Sequence, residues 1–152
     1  MARYSLGLRT SNVTIANATL EIIAGLKPLK LAQMDFTLNA ATASVFGLGR
    51  PAALGLTPTT PVGLLMDANG DPAAGTALVA LAWGTGPTVP ASFIKRISLA
   101  GEIGAPAVWS FGATDSSGRV GNNGLVIPAG HSLVLWNLSA VSVVDVNLVI
   151  DE

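Results

Sequence analysis

The chain has 152 residues, half of them hydrophobic, and only 17 carry a charge, 8 basic and 9 acidic. A charged fraction of 11%, against about 25% in an ordinary soluble domain, excludes disorder, which combines low hydrophobicity with high net charge. A net charge of −1 leaves no electrostatic footprint for nucleic acid, and the absence of cysteine excludes disulfides and thiolate metal sites.

Taken in chain order, the opening Met1–Ser5 contains no apolar run, so no secretory signal is expected. Ala18–Ala24 alternates, with apolar residues at 18, 20, 22 and 24 and with Thr19 and Glu21 opposite. Ala32–Asn39 does the same, placing Ala32, Met34, Phe36 and Leu38 on one face. Ala43–Leu48 is a weaker strand candidate. Ala77–Trp83, Phe93–Leu99, Ala107–Phe111, Leu125–Ile127 and Leu133–Leu138 are more continuously apolar, as strands covered on both faces are. Val144–Ile150 alternates again, with Asp145 and Asn147 outward. Leu133–Ile150 is 18 residues long, but its polar interruptions and period of two predict strand and not a membrane span.

Turn residues separate these runs at Gly25–Pro28, Asn69–Pro72, Gly84–Pro87, Gly101–Gly104, Asn122–Gly124 and Pro128–Gly130. No stretch combines a 3.6-residue apolar period with caps. The fold class predicted is all-β: an antiparallel jelly-roll-like sandwich or barrel of about eight or more strands, with little helix.

Motifs for catalysis are thin. His131 is the only histidine, and it has neither a cluster of metal ligands nor a nucleophile elbow around it. Asp67–Asp71 begins like a calcium loop but has Pro72 where glycine is needed and Leu78 where glutamate is needed. Gly47–Ala52 matches a dinucleotide fingerprint, yet Gly55, Pro58 and Pro61 forbid the helix that would hold pyrophosphate. These glycines instead read as a strand end where another chain segment crosses closely. The sequons at Asn12, Asn17 and Asn137 matter only in a secretory pathway. Paired carboxylates for glycoside chemistry could come from Asp35, Asp67, Asp71 and Asp115, but the three tryptophans lie in apolar strands and read as core or interface. No enzyme activity, metal or cofactor is expected. Lys95-Arg96 is a basic doublet in an apolar strand, so at least one of the two should meet a partner or an acidic neighbour.

Several segments together resemble the small cement, or head-decoration, proteins of tailed bacteriophages. They are Phe46–Ala53, Trp83–Pro90 followed by Phe93–Arg96, then Val126–Gly130 with Leu133–Asn137, and a closing strand before Asp151-Glu152. The resemblance covers roughly residues 45–152 and departs from the family at the Asp115–Gly124 insert. It implies a jelly roll that sits as a homotrimer on the outer surface of the capsid, bound to the major capsid protein, after synthesis in the host cytoplasm. It also implies no reaction, no nucleic-acid partner and no membrane partner. Residues 1–17 would then form an N-terminal arm or edge strand, and residues 18–152 a single jelly-roll-like domain. The candidate subunit or capsid contacts are Arg3, Tyr4, Arg9, Arg50, Trp83, Lys95, Arg96 and Trp136. A carbohydrate- or host-receptor-binding sandwich of a fibre or lectin type is the alternative. The scarcity of charge fits a surface partly covered by subunit and capsid contacts.

Overall fold

The computed structural model of the chain describes residues 2–10, 17–59, 61–66, 76–112, 124–139 and 142–152. These residues form strands and no helix. The strands are β1 (Arg3–Arg9), β2 (Ala18–Ile23), β3 (Leu29–Leu38), β4 (Ser44–Gly49), β5 (Leu56–Pro58), β6 (Pro61–Gly63) and β7 (Leu65–Met66). They continue with β8 (Leu78–Ala80), β9 (Trp83–Thr85), β10 (Lys95–Leu99), β11 (Pro106–Ser110), β12 (Leu125–Ile127), β13 (Ser132–Asn137) and β14 (Val144–Asp151).

All pairings are antiparallel. One sheet runs β11–β3–β14–β1–β7, with β12 also on β3; the other runs β10–β4–β13–β2–β8–β6. The principal pairs are nested along the chain: β1 with β14, β2 with β13, β3 with β11, and β4 with β10. β14 also pairs with β3, and β13 with β4, which locks the nested pairs into two sheets. A long hairpin rolled in this way is a jelly roll, as the strand pattern predicts. Residues 1–17 contribute β1, which lies between β14 and the two-residue β7 in the chain's own sheet.

The alternating strands supply the main core. Val144, Val146, Leu148 and Ile150 of β14 point inward and meet Leu20 and Ile22 of β2, Leu133 and Leu135 of β13, and Met34, Phe36 and Leu38 of β3. Phe36 bridges the sheets, edge-on to Phe46 at 5.4 Å and to Trp109 at 5.0 Å between ring centroids. One expected inward residue differs. The β3–β14 register shifts where Gln33 faces Val149 and Leu31 faces Ile150, so Ala32 is an extra residue and lies half-buried while Leu29 and Leu31 enter the core. A bulge of this kind switches the face of every residue before it.

The outer faces of the two sheets differ sharply. That of the first sheet carries cross-strand pairs, Arg3 with Asp151 and Arg9 with Asp145, beside exposed Leu65, Val108 and Val126. That of the second is covered by the long connection between β4 and β10. There Trp83, Phe93 and Leu138 pack on Ala18, Val134 and Trp136 to form a second apolar cluster. The connection also supplies strands to both sheets, β7 beside β1 and β8 beside β2. Glycines in β4 and just beyond make the close approach possible: a Cβ on Gly47 would lie 2.7 Å from the Phe93 ring, and one on Gly55 2.4 Å from the Trp83 indole.

Candidate interaction surface

Glu21 was expected on a solvated strand face opposite Leu20 and Ile22; instead it is fully buried, 0% exposed, beneath the β4–β10 connection. Three donors converge on its carboxylate: Ser132 Oγ at 2.6 Å, Trp83 Nε1 at 2.7 Å and the Gly55 backbone N–H at 3.3 Å. A buried carboxylate is tolerated when its lone pairs are taken up in this way. Because two of the donors belong to the connection, Glu21 fastens that segment to β2.

The fastened segment leads to one end of the roll, where three turns meet. Residues 24–28 link β2 to β3, residues 50–54 leave β4, and residues 128–131 lead into β13. Gly130 adopts φ +70°, a left-handed conformation suited to glycine, and its N–H reaches the carbonyls of Ala24 and Gly25 at 3.2 and 3.0 Å. Arg50 Nη2 donates to the Val126 carbonyl at 2.7 Å. Between these turns lies a cleft of about 220 Å³ lined by Arg50, Pro51, Ala52, Ala53, Leu54, Gly130, His131 and Ser132. Large apolar side chains stand in solvent around it: Leu26 is 86% exposed, Leu54 40% and Val126 43%.

The residues singled out from sequence scatter over this framework. Tyr4 and Trp136 are inside the protein, 1% and 2% exposed, in the main core and the second cluster respectively. Trp83 is half-buried, with its indole N–H on Glu21. Arg3 and Arg9 are on the outer face of the first sheet, each bound to a carboxylate of β14 through two guanidinium nitrogens. The hydrogen bond from Arg9 holds the Asp145 carboxyl below the usual carboxylate range, opposed by desolvation and aided by charge attraction. The Arg9 guanidinium is raised in turn, by the same hydrogen bond first and by charge attraction second. Lys95 and Arg96 are exposed on β10, the terminal strand of the second sheet, opposite Leu48 and Gly47. Arg50 alone among the eight lines the cleft.

His131, set aside as a catalytic residue, lies exposed on the opposite wall of that cleft and donates Nδ1–H to the Ala129 carbonyl at 3.0 Å. Asn137 of the third sequon is buried, with its amide bonded to Ser142 and Ser139, and cannot accept a glycan in this fold. Asp67–Asp71, Asp115 and Asn12 lie outside the described residues. Among the described residues no group of three metal-ligating side chains forms, and no helix is long and apolar enough to cross a membrane. Compared with known proteins, the sequence matches no family model and no curated protein.

Proposed function

We propose that this chain is a non-enzymatic structural protein of a tailed-phage virion. It binds the outer surface of the capsid as a homotrimer and cements neighbouring capsomers through contacts with the major capsid protein. The observation that carries this reading is the exposed apolar surface at the three-turn end. Charged side chains of the first sheet's outer face are paired within the chain, Arg3 with Asp151 and Arg9 with Asp145. The three-turn end offers Leu26 and Leu54 to a partner, with Val126 of β12 beside it. An apolar patch framed by few charges can be covered without desolvating ions. Repeated over a shell, modest contacts of this kind gain strength by avidity. The resemblance of residues 45–152 to cement proteins supports the same assignment, and trimerisation rests on that resemblance.

Mass spectrometry of purified virions, together with light scattering on the isolated protein, tests the proposal. A stoichiometric virion component that is trimeric in solution is expected. Absence from virions, or a stable monomer at micromolar concentration, would overturn it.

A further inference from the structure

We infer that the cleft between residues 50–54 and 130–132 is a docking site for a carboxylate side chain carried by an acidic, otherwise apolar segment of a partner protein. Arg50 supplies the recognition. Its guanidinium is held in place by one Nη2 bond to the Val126 carbonyl at 2.7 Å, and among the described residues no carboxylate is paired with it. Arg50 is exposed, so the rest of its planar donor set is open to a partner, and that fork suits a carboxylate better than an ammonium would. Pro51, Ala52, Ala53 and Leu54 form the apolar side of the cleft, where a charge-assisted hydrogen bond is less exposed to competing water.

On the other side His131 commits Nδ1–H to the Ala129 carbonyl, which turns Nε2 away from that bond. Among the described residues, the Glu21 carboxylate sits behind Ser132, and its oxygens are occupied by Ser132, Trp83 and Gly55. Lys95 and Arg96, on the neighbouring strand, pair with Leu48 and Gly47, two and three positions before Arg50. The volume of about 220 Å³ falls below the roughly 300–1,000 Å³ of small-molecule pockets. It suits one side chain presented by a larger surface. The exposed Leu26, Leu54 and Val126 would cover the apolar flanks of such a segment.

This deepens the capsid reading and rests on it for the identity of the partner, while the chemistry of the cleft can be tested alone. The probe is the blocked peptide N-acetyl-Ala-Asp-Leu-amide, titrated into labelled protein and followed by NMR at the Arg50 side chain and the His131 ring. Its Asn counterpart is the control. Saturable shifts are expected at Arg50 and His131 with the Asp peptide, and binding roughly tenfold weaker with the Asn peptide, the loss of one charge-assisted bond. R50Q should lose a similar factor while retaining a dispersed spectrum, and K95Q should bind within about twofold of the parent.

Equal response to both peptides, equal loss in R50Q and K95Q, or shifts absent from His131 would each overturn the inference. Failure here with the protein still found in virions refutes the cleft alone. A functioning cleft in a protein absent from virions refutes the capsid reading alone.

Discussion

The Trp83 indole N–H donates to the buried Glu21 carboxylate at 2.7 Å, tying the β4–β10 connection to a strand more than sixty residues earlier in the chain. Removing the acceptor strands Trp83, Ser132 and Gly55 at once. Glu21→Ala should therefore cost about 2–4 kcal/mol, since each buried donor left without a partner carries a desolvation penalty. Glu21→Gln keeps the volume and one acceptor oxygen and should lose less. Urea unfolding of both variants measures the difference, and a neutral Glu21→Ala would show that the carboxylate fastens nothing.

The contact of Gly47 with the Phe93 ring can be isolated by a double-mutant cycle. Gly47→Ala places a methyl where the ring now sits and should destabilise by about 1–3 kcal/mol, the usual range for overpacking. Phe93→Ala removes the obstacle, so the double variant should be more stable than the sum of the two losses predicts. Strict additivity would place the strain elsewhere.

Tryptophan fluorescence separates the three indoles. Trp109 and Trp136 are buried and Trp83 is half-buried, so iodide should quench only a minor, single component. Trp83→Phe should abolish that component. Strong quenching that survives the substitution would mean that a second tryptophan is open to solvent, as a sugar-binding platform requires.

The Arg9–Asp145 pair gives a pH signature with a definite sign. The folded value of Asp145 is lowered, so the pair contributes above the unfolded carboxylate value of about 4 and is lost as pH falls through the lower folded value. Arg9→Gln should move the Asp145 carboxyl titration upward, read by carbon NMR of the side chain. Because both groups are exposed, stability near neutral pH should hardly change. An unmoved titration would place the cause of the shift outside the pair.

At the three-turn end, Leu26→Ser combined with Leu54→Ser should leave unfolding stability within about 0.5 kcal/mol, because exposed side chains contribute little to the fold. Capsid binding by the same variant, measured by co-sedimentation with shells lacking the protein, should weaken at least roughly tenfold, a loss of about 1.4 kcal/mol. Unchanged co-sedimentation would move the docking surface elsewhere.

Much of the roll was legible because β2, β3 and β14 carry a period of two; of the runs read as covered on both faces, β13 is buried throughout, whereas β10 is largely exposed and β11 alternates, because both lie at sheet edges. The connection from β4 to β10 was not legible. Its strands are two or three residues long and punctuated by Pro58, Pro61 and Gly63, too short to show any period. For the same reason Glu21 looked solvated: alternation says which face a residue is on, but not what covers that face. The readable clue is the pair of glycines at 47 and 49, which let another segment cross closely, as Phe93 and Pro90 do. Trp136 was legible as core or interface, whereas the pairing of Arg3 and Arg9 with β14 depends on a register between the two ends of the chain. The shortage of charge also gains a partly internal cause, since part of the second sheet's outer face is covered by the chain itself.

The nesting of the strands fixes an order of events at the ribosome. β1 precedes every other described strand and its long partner β14 follows them all, so the strands between them must be synthesised before the first sheet can close. β14 also supplies the neighbour of β3, leaving two strands with open edges until then. Such distant pairing makes for slow folding and a lasting opportunity for strands to pair between chains. The rate at which β14 docks would therefore govern the yield of native protein at high expression.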